Sequence, residues 1–238
     1  MSDLETFDSL NLKEELLRGI FSYGFENPSP IQKKAIPVMN SKRDLIAQAQ
    51  SGTGKTGAFT IGVLNNIDVS SNTIQAIIIN PTHELANQNL NVIKELSNFM
   101  NVNVQLVVGG TSVSKCKADL EKNPHVVVGT PGRILDMIQK RNLETKNIKL
   151  LIFDEADEIL SFGFKESIYN IIKFIPVDTQ ICIYSATMPN EIIELTDKFM
   201  RDPEKILVQK ENLTLDGIIQ FYINVKHSDW KYDTLIDI

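Results

Sequence analysis

The chain has 238 residues, of which 42 % are hydrophobic, so it is long enough to form one large domain with a buried core. Its 24 basic and 30 acidic residues give a formal net charge of -6, which argues against nucleic-acid binding through a broad basic surface. No apolar run approaches about 18 residues and the N-terminus is acidic, so neither a membrane span nor a secretory signal is predicted.

Strands and helices are predicted to alternate along the chain, which is typical of a parallel sheet covered by helices on both faces. The predicted fold class is therefore α/β with a doubly wound parallel sheet. Several helix starts carry an N-cap residue or a first-turn proline. These starts lie at Pro30, Lys55, Glu84, Pro131 and Pro189. The predicted strands cover residues 44–48, 75–80, 102–108, 125–129, 149–154, 180–185 and 206–208.

A phosphate-binding loop follows the first predicted strand, at residues 49–56. Its two glycines let backbone N–H groups turn onto phosphate oxygens, Lys55 reaches the β- and γ-phosphates, and Thr56 offers a hydroxyl to Mg²⁺. The usual pattern begins with glycine, so the first turn here must accommodate the Cβ of Ala49. The predicted nucleotide-binding residues of this loop are Ala49, Gln50, Ser51, Gly52, Thr53, Gly54, Lys55 and Thr56.

An acidic tetrapeptide, residues 154–157, ends the buried strand predicted at 149–154. Doubly wound sheets present ligand-binding groups at this edge. Asp154 fits the role of the metal-side carboxylate, and Glu155 can polarise an attacking water. The alternative is an acidic helix N-terminus, where carboxylates interact favourably with the helix dipole. With the phosphate loop upstream, the sequence favours a hydrolytic site formed by Lys55, Asp154 and Glu155.

Further strings accompany these two motifs in a characteristic order and spacing, and together they resemble the DEAD-box RNA helicases. The resemblance covers the chain from Phe7 onward. Residues 18–26, 163–166, 198–203 and 213–218 are similar to the eukaryotic initiation factor 4A subfamily, although the nuclear paralogue of the exon junction complex shares most of them. The additional strings are Gly24-Phe25-Glu26-Asn27-Pro28-Ser29-Pro30-Ile31-Gln32, Pro81-Thr82-His83-Glu84-Leu85-Ala86, Gly109-Gly110, Thr130-Pro131-Gly132-Arg133 and Ser185-Ala186-Thr187.

The resemblance implies a RecA-like P-loop NTPase domain with three layers, α/β/α, that binds ATP and Mg²⁺. It assigns Gln32 to the adenine, whose edge an amide can both donate to and accept from. It assigns Phe25 to stacking on the base. The alternative for Gln32 is a surface amide, and the alternative for Phe25 is packing in the core. Thr56 and Asp154 would hold the metal, partly through water. The residues implied in coupling hydrolysis to RNA release are Asp157, Ser185 and Thr187.

The RNA contacts that the resemblance implies are mostly uncharged loop and helix-start positions, which bind phosphates and read bases little. The family usually has arginine where this chain has His83, and an imidazole cannot form the bidentate contact of a guanidinium. Three alternatives remain for His83: RNA affinity is reduced, RNA affinity is mildly pH-sensitive, or His83 is simply solvated. The glycine pair 109–110 also fits an ordinary turn. The implied RNA-binding residues are Pro81, Thr82, His83, Gly110, Thr130, Pro131, Gly132 and Arg133.

Three segments are predicted along the chain. The resemblance implies an adenine-recognition segment at residues 1–32 and the ATP-binding domain at residues 33–209. It implies a linker with the first elements of a second RecA-like domain at residues 210–238, including a strand at 217–225. After Asp157 the only arginine is Arg201. In the family that the chain resembles, a second domain supplies arginines to the γ-phosphate. These are therefore expected outside this chain, and the chain alone is expected to be nearly inactive.

The leading hypothesis is an ATP-dependent RNA helicase that unwinds or remodels RNA, and the alternative is an ATP-dependent RNA clamp in an exon-junction-type complex with little turnover. The implied partners are single-stranded or duplex RNA, the second domain and a HEAT-repeat scaffold such as initiation factor 4G. A monomer without membrane contact is expected. Cys116 and Cys182 predict no disulfide, which favours the cytoplasm, or the nucleus for the exon-junction paralogue.

Overall fold

The computed structural model describes residues 6–206 and 221–237. The two ranges belong to separate compact units, and each is described by itself. In the first range, seven parallel strands form one sheet in the order β3-β4-β2-β5-β6-β1-β7. The strands are β1 (Leu45–Gln48), β2 (Ala76–Ile79), β3 (Val104–Val107), β4 (Val126–Gly129), β5 (Leu150–Phe153), β6 (Gln180–Ser185) and β7 (Glu204–Ile206).

Helices connect successive strands in this first unit, preceded by a short 3-10 helix at Phe7–Leu10. No helix in the described parts of the chain has the length and apolar character needed to cross a membrane. The helices are α1 (Glu14–Ser22), α2 (Pro30–Asn40), α3 (Lys55–Asn66), α4 (His83–Leu96), α5 (Val113–Leu120), α6 (Pro131–Gln139), α7 (Ala156–Ser161), α8 (Lys165–Phe174) and α9 (Asn190–Phe199).

Each face of the sheet has its own hydrophobic core. In β2, Ala76 and Ile78 pack on the side of α1 to α4, whereas Ile77 and Ile79 pack on the side of α5 to α9. This alternation explains why the strands read as continuous apolar runs, since a parallel sheet in an α/β fold is buried on both faces. The predicted α/β fold with three layers is confirmed.

The register of the sheet aligns the ends of the strands that precede the predicted motifs. Gln48 at the end of β1 pairs with Ser185 of β6. Ile79 at the end of β2 pairs with both Gly129 of β4 and Phe153 of β5. The phosphate loop, the acidic tetrapeptide and the loops after β2, β4 and β6 therefore leave the sheet at one edge.

Several predicted boundaries differ from the observed ones by one or two residues; α9, for example, begins at Asn190, and Pro189 is its N-cap. Two further starts differ for identifiable reasons. Helix α4 starts at His83 rather than Glu84, because the Thr82 hydroxyl caps it by accepting the N–H of Leu85 at 3.2 Å. The last strand begins at Glu204 rather than at residue 206, because it pairs from Glu204 onward with the start of β1. Residues 207 and 208 lie outside the described ranges.

The second unit, residues 221–237, contains a 3-10 helix at Ser228–Trp230 followed by α10 (Lys231–Ile236). Of the strand predicted at 217–225, residues 221–225 form no strand, and residues 217–220 lie outside the described ranges. The predicted boundary after residue 209 also lies outside them. The boundary after residue 32 falls inside α2, so residues 6–32 pack within the first unit.

Candidate functional site

The phosphate loop has the backbone conformation that its glycines permit. Gly52 and Gly54 have φ values of +81° and +97°, in the left-handed region that favours glycine. A Cβ built on Gly52 would meet no atom within 4 Å, so the loop is open there. Helix α3 begins directly afterwards at Lys55, and its first N–H groups lack helical partners. This open loop at a helix start fits an anionic phosphate chain.

The remaining residues of the loop are held locally. Ala49 is buried and lies outside the left-handed region, so the alanine at this position is accommodated. The Thr53 hydroxyl donates to the carbonyl oxygen of Gln50 at 2.7 Å, and Ser51 is exposed. The Thr56 side chain is half-buried, and its hydroxyl forms no hydrogen bond with any other described residue.

Lys55 and Glu155 form an ion pair across the site. The Lys55 Nζ lies 2.9 Å from both Oε1 and Oε2 of Glu155. The side chains are only 5 % and 18 % exposed, so solvent screens this pair less than a surface pair. An ammonium has three N–H donors, and the third remains for another acceptor. The structure thus brings together two of the three predicted catalytic residues.

Glu155 also has a strained backbone. As the N-cap residue of α7 it has φ 50° and ψ 56°, a left-handed conformation that costs a non-glycine residue about 1 kcal/mol. Such strain persists only where the surroundings enforce it, and it concentrates at functional sites. Here it occurs at the residue that pairs with Lys55.

Asp154, the third predicted catalytic residue, is buried with 4 % exposure. Its Oδ2 accepts hydrogen bonds from the Nδ2 atoms of Asn80 at 3.1 Å and Asn89 at 2.8 Å. Burial raises the pKa of Asp154 to about 6, although the hydrogen bond from Asn89 acts to lower it. The two amides therefore stabilise a carboxylate that burial would otherwise protonate more readily.

The sequence reasoning missed both asparagines. A signal existed for Asn89, because it lies on the same side of α4 as Ala86 and Ile93, which are buried. An amide on the apolar side of a helix requires a hydrogen-bonding partner. Asn80 lies directly before Pro81 at the end of a buried strand, and no local pattern identifies its partner.

The three residues predicted to couple hydrolysis to RNA are in direct contact. Asp157 Oδ2 accepts the N–H of Thr187 at 3.1 Å and its hydroxyl at 2.7 Å, and the Asp157 N–H donates to the Ser185 Oγ at 3.3 Å. Burial acts to raise the pKa of Asp157, but the hydrogen bonds from Thr187 and Ser185 outweigh it and hold the pKa below its ordinary value. The acidic tetrapeptide is thus tied to the loop after β6.

The same loop is tied to the phosphate loop. The Ala49 N–H donates to the carbonyl oxygen of Ser185 at 3.1 Å. The Gln48 Nε2 donates to the carbonyl oxygen of Ala186 at 3.2 Å. The phosphate loop, the acidic tetrapeptide and the Ser185–Thr187 segment therefore form one hydrogen-bonded cluster.

Gln32 lies against the phosphate loop and is 3 % exposed, so its alternative interpretation as a surface amide is wrong. Its Oε1 accepts the Ser29 N–H at 2.8 Å as part of the cap of α2. Its Nε2 donates to the carbonyl oxygen of Gly54 at 3.2 Å. One N–H and one oxygen lone pair of the amide remain for a ligand. The predicted adenine contact stays a prediction, with Gln32 already positioned at the loop.

Phe25 is half-buried and takes part in packing. Its ring stacks on Phe7 with centroids 6.3 Å apart and an angle of 15°, and it meets Tyr23 edge-on at 4.8 Å. A Cβ on Gly57 of α3 would lie 3.1 Å from the Phe25 ring. These contacts favour the core-packing alternative, and stacking of Phe25 on a base stays a prediction.

The residues predicted to contact RNA gather around the loops after β2, β3 and β4. The exposed His83 lies beside the glycine turn, since a Cβ on Gly109 would be 3.3 Å from its Nε2. Gly110 has φ +71°, so this pair does form a turn. Arg133 donates to the Thr111 hydroxyl at 3.1 Å and to its carbonyl oxygen at 3.0 Å. The guanidinium is thus held next to the same turn.

Two helix starts complete a second group of residues, those predicted to contact RNA. Thr82 is the N-cap of α4 and follows Pro81, while Thr130 is the N-cap of α6, which has Pro131 in its first turn. A Cβ built on Gly132 would meet nothing within 4 Å, so this helix start is sterically open. Adjacent helix starts offer N–H groups to phosphates.

Arg201, the arginine that follows the tetrapeptide, lies elsewhere. Its N–H donates to Asp44 Oδ2 at 2.7 Å, and its Nη2 donates to the carbonyl oxygens of Asp178 at 3.1 Å and Thr179 at 3.2 Å. Because these residues precede β1 and β6, Arg201 is bound at the amino edge of the sheet. Within residues 6–206 and 221–237, Lys55 is the only cation in salt-bridge contact with the tetrapeptide.

The residues at this edge fit a magnesium nucleotide. The described residues contain no group of three or more His, Cys, Asp or Glu side chains that could enclose a metal ion. Mg²⁺ is ordinarily bound through one or two carboxylates together with waters and substrate phosphates. The Thr56 hydroxyl and the Asp154 carboxylate are hard oxygen donors of this kind, so the donor set suits the ion.

Comparison with known proteins agrees with this geometry. The family model described as DEAD/DEAH box helicase matches residues 29–195. The chain is 51 % identical over 235 residues to the ATP-dependent RNA helicase fal1 of Schizosaccharomyces pombe, covering 99 % of this chain and 60 % of that protein. It is 53 % identical over 235 residues to the ATP-dependent RNA helicase eIF4A of the same organism, with 99 % and 60 % covered.

Among solved structures, Saccharomyces cerevisiae Dbp5 bound to RNA and ADP BeF3 superimposes with a TM-score of 0.88 at 35 % identity. The match covers 97 % of this chain and 59 % of that chain. The chain therefore spans about 60 % of the length of the relatives that it matches.

Proposed function

Because the chain belongs to the DEAD/DEAH box helicase family, we propose that it is the ATP-binding part of an ATP-dependent RNA helicase of the initiation factor 4A type. The observation that carries the proposal is the contact of Lys55 with both carboxylate oxygens of Glu155 at 2.9 Å. It joins a phosphate-binding lysine to a carboxylate that can accept a proton. Hydrolysis of a nucleotide requires a phosphate loop close to acidic residues, here the acidic pair Asp154 and Glu155.

In the proposed reaction the chain binds and orients ATP, and it accepts a proton from the attacking water. The phosphate-loop N–H groups and the remaining Lys55 N–H donor bind phosphate oxygens, and Gln32 offers its free N–H and lone pair to adenine. Mg²⁺, held by Thr56 and Asp154, would offset phosphate charge. Glu155 orients the attacking water and accepts its proton on a carboxylate oxygen.

The second group of residues is proposed to bind the RNA backbone. The starts of α4 and α6 and the turn at Gly110 offer N–H groups to phosphates, and Arg133 adds a cation. The net charge of -6 predicts that this binding is weak in the chain alone. Asp157 forms hydrogen bonds with Ser185 and Thr187, which link the loop after β6 to the acidic tetrapeptide. We expect these contacts to couple ATP hydrolysis to RNA release.

The proposal includes a second RecA-like domain outside this chain. Support comes from the greater length of the relatives, of which the chain covers 60 %. It also comes from Arg201, which is bound at the opposite edge of the sheet from the acidic pair. A second domain would supply the arginine charge that raises phosphoryl transfer by about 10³- to 10⁵-fold in other enzymes.

The wider assignments follow from the similarity to initiation factor 4A. They are a HEAT-repeat scaffold such as initiation factor 4G as protein partner, a monomeric state and a cytoplasmic location. The names of the two relatives favour a helicase over a clamp with little turnover, because both are called ATP-dependent RNA helicases.

RNA-dependent turnover tests the proposed function. A protein that joins this chain to the second domain is expected to hydrolyse ATP faster with single-stranded RNA than with DNA of the same sequence. GTP should be a poor substrate, since a site that pairs with a polar base edge rejects a mismatched one. Phosphate release measured with both nucleotides and both nucleic acids decides the matter. Equal stimulation by DNA and RNA, or equal use of GTP, would contradict the proposal.

A further inference from the structure

Two asparagines hold the Asp154 carboxylate from the half of the sheet that carries the predicted RNA contacts. Asn80 follows β2 and Asn89 lies on α4, and both donate to Oδ2, at 3.1 Å and 2.8 Å. The exposed fractions are 0 % for Asn80, 3 % for Asn89 and 4 % for Asp154. Hydrogen bonds to a carboxylate in such a dry environment are strong and fix its orientation.

The backbone around Asn80 connects the same two regions. Its N–H donates to the carbonyl oxygen of Gly129 at 2.8 Å, directly before Thr130 at the start of α6. The Asp154 N–H donates to the carbonyl oxygen of Ile79 at 3.0 Å, directly before Asn80. Asn80 is thus bonded on one side to the start of a predicted RNA-binding segment and on the other to the acidic tetrapeptide.

Asn89 has an equivalent position on the neighbouring helix. It lies less than two turns from His83, where α4 begins, and the Thr82 hydroxyl caps that start. If α4 moved as a unit, a phosphate bound at its start would also shift residues one or two turns away. The amide of Asn89 would carry such a shift to the Asp154 carboxylate.

We propose that Asn80 and Asn89 are positioning residues that couple RNA bound at the starts of α4 and α6 to the Asp154 carboxylate. RNA binding then orients the acidic pair for ATP, and ATP binding tightens the RNA site by the same factor, because thermodynamic coupling is reciprocal. The inference rests on the proposed function. If the asparagines only offset the burial of Asp154, their loss would weaken ATP binding equally with and without RNA.

The test compares ATP affinity with and without RNA in the protein that joins this chain to its second domain. The dissociation constant of ATP without RNA, divided by that with RNA, measures the coupling. Because only folded protein binds ATP, a general loss of stability does not change this ratio. Asn89→Leu, which keeps the branched shape of the side chain and removes the donor, is expected to lower this ratio about 3- to 30-fold. Asn80→Ala should lower it in the same direction, and it serves as the test if Asn89→Leu does not fold.

Two matched controls separate coupling from general destabilisation. Gln88→Ala removes an exposed amide from the same helix, and Asn66→Ala removes a half-buried amide that donates to the carbonyl oxygen of Gly62 at 2.8 Å, away from Asp154. Both should keep the ratio of the unmodified protein. Ratios within about twofold of that value in both Asn89→Leu and Asn80→Ala would overturn the inference. A ratio of one in the unmodified protein would overturn it as well, whereas a lack of RNA-stimulated ATP hydrolysis would contradict the proposed function itself.

Discussion

Glu155→Gln is expected to lower the single-turnover rate of ATP hydrolysis about 10²- to 10⁴-fold in the protein that contains both domains. Glutamine keeps the size of the side chain and an oxygen that can accept a hydrogen bond from Lys55, which lies 2.9 Å from both Glu155 oxygens. It replaces the carboxylate that accepts a proton from water with a neutral amide that cannot. ATP affinity should therefore be retained while turnover collapses, and RNA should stay bound longer.

Nucleotide affinity and single-turnover rate are measured side by side for this variant. Glu158→Gln is the matched control, because Glu158 is an exposed residue of the adjoining helix α7. It should hydrolyse ATP at the unmodified rate. If Glu155→Gln also does so, Glu155 does not activate the water, and Asp154 or Asp157 becomes the candidate.

Lys55→Ala is expected to weaken ATP binding about 10- to 100-fold, because it removes charge-assisted hydrogen bonds to phosphate. It also leaves Glu155, which is 18 % exposed, without its paired cation. Breaking a partly buried pair from one side is costly, so the variant should also unfold at a lower temperature.

The two effects of Lys55→Ala are separated by equilibrium titration with ATP and by thermal unfolding without nucleotide. Lys34→Ala is the control, since Lys34 is an exposed lysine on α2 and its loss changes the net charge equally. An ATP dissociation constant for Lys55→Ala equal to that of the control would remove Lys55 from the phosphate site.

The fold could be predicted from the sequence because a parallel sheet buried on both faces leaves a strong pattern. In β2 all four residues, Ala76–Ile79, are buried, and the strand reads as an apolar run bounded by polar residues. The phosphate loop was equally legible, since the positive φ values of Gly52 and Gly54 require the glycines that the sequence displays.

The contacts around Asp154 could not be predicted, because they depend on tertiary packing. Asn80 and Asn89 are 74 and 65 residues away from Asp154 in the chain. Only the pairing of β2 with β5 and the packing of α4 on the sheet bring the three side chains together. The left-handed backbone of Glu155 is likewise imposed by its surroundings, since glutamate has no intrinsic preference for it.

The packing of the N-terminal segment could also be predicted only in part from the sequence. The resemblance implies that Phe25 stacks on the base, with core packing as the alternative, and the base contact stays a prediction. The observed stacking of Phe25 on Phe7 depends on how the 3-10 helix and α1 fold back. Gln32 shows why a motif does not specify all contacts of a residue. Its amide both caps α2 and bonds Gly54 of the phosphate loop.

The central claim is that this chain holds ATP while the groups that complete hydrolysis lie on a second domain. The most direct measurement uses the 238-residue chain alone, titrated with ATP and Mg²⁺ and then followed through a single turnover with and without RNA. The account predicts saturable ATP binding that GTP competes for poorly, little RNA-stimulated hydrolysis, and a rate about 10³- to 10⁵-fold higher once the second domain is attached. Rapid RNA-stimulated hydrolysis or duplex unwinding by the chain alone, or no saturable ATP binding, would contradict it.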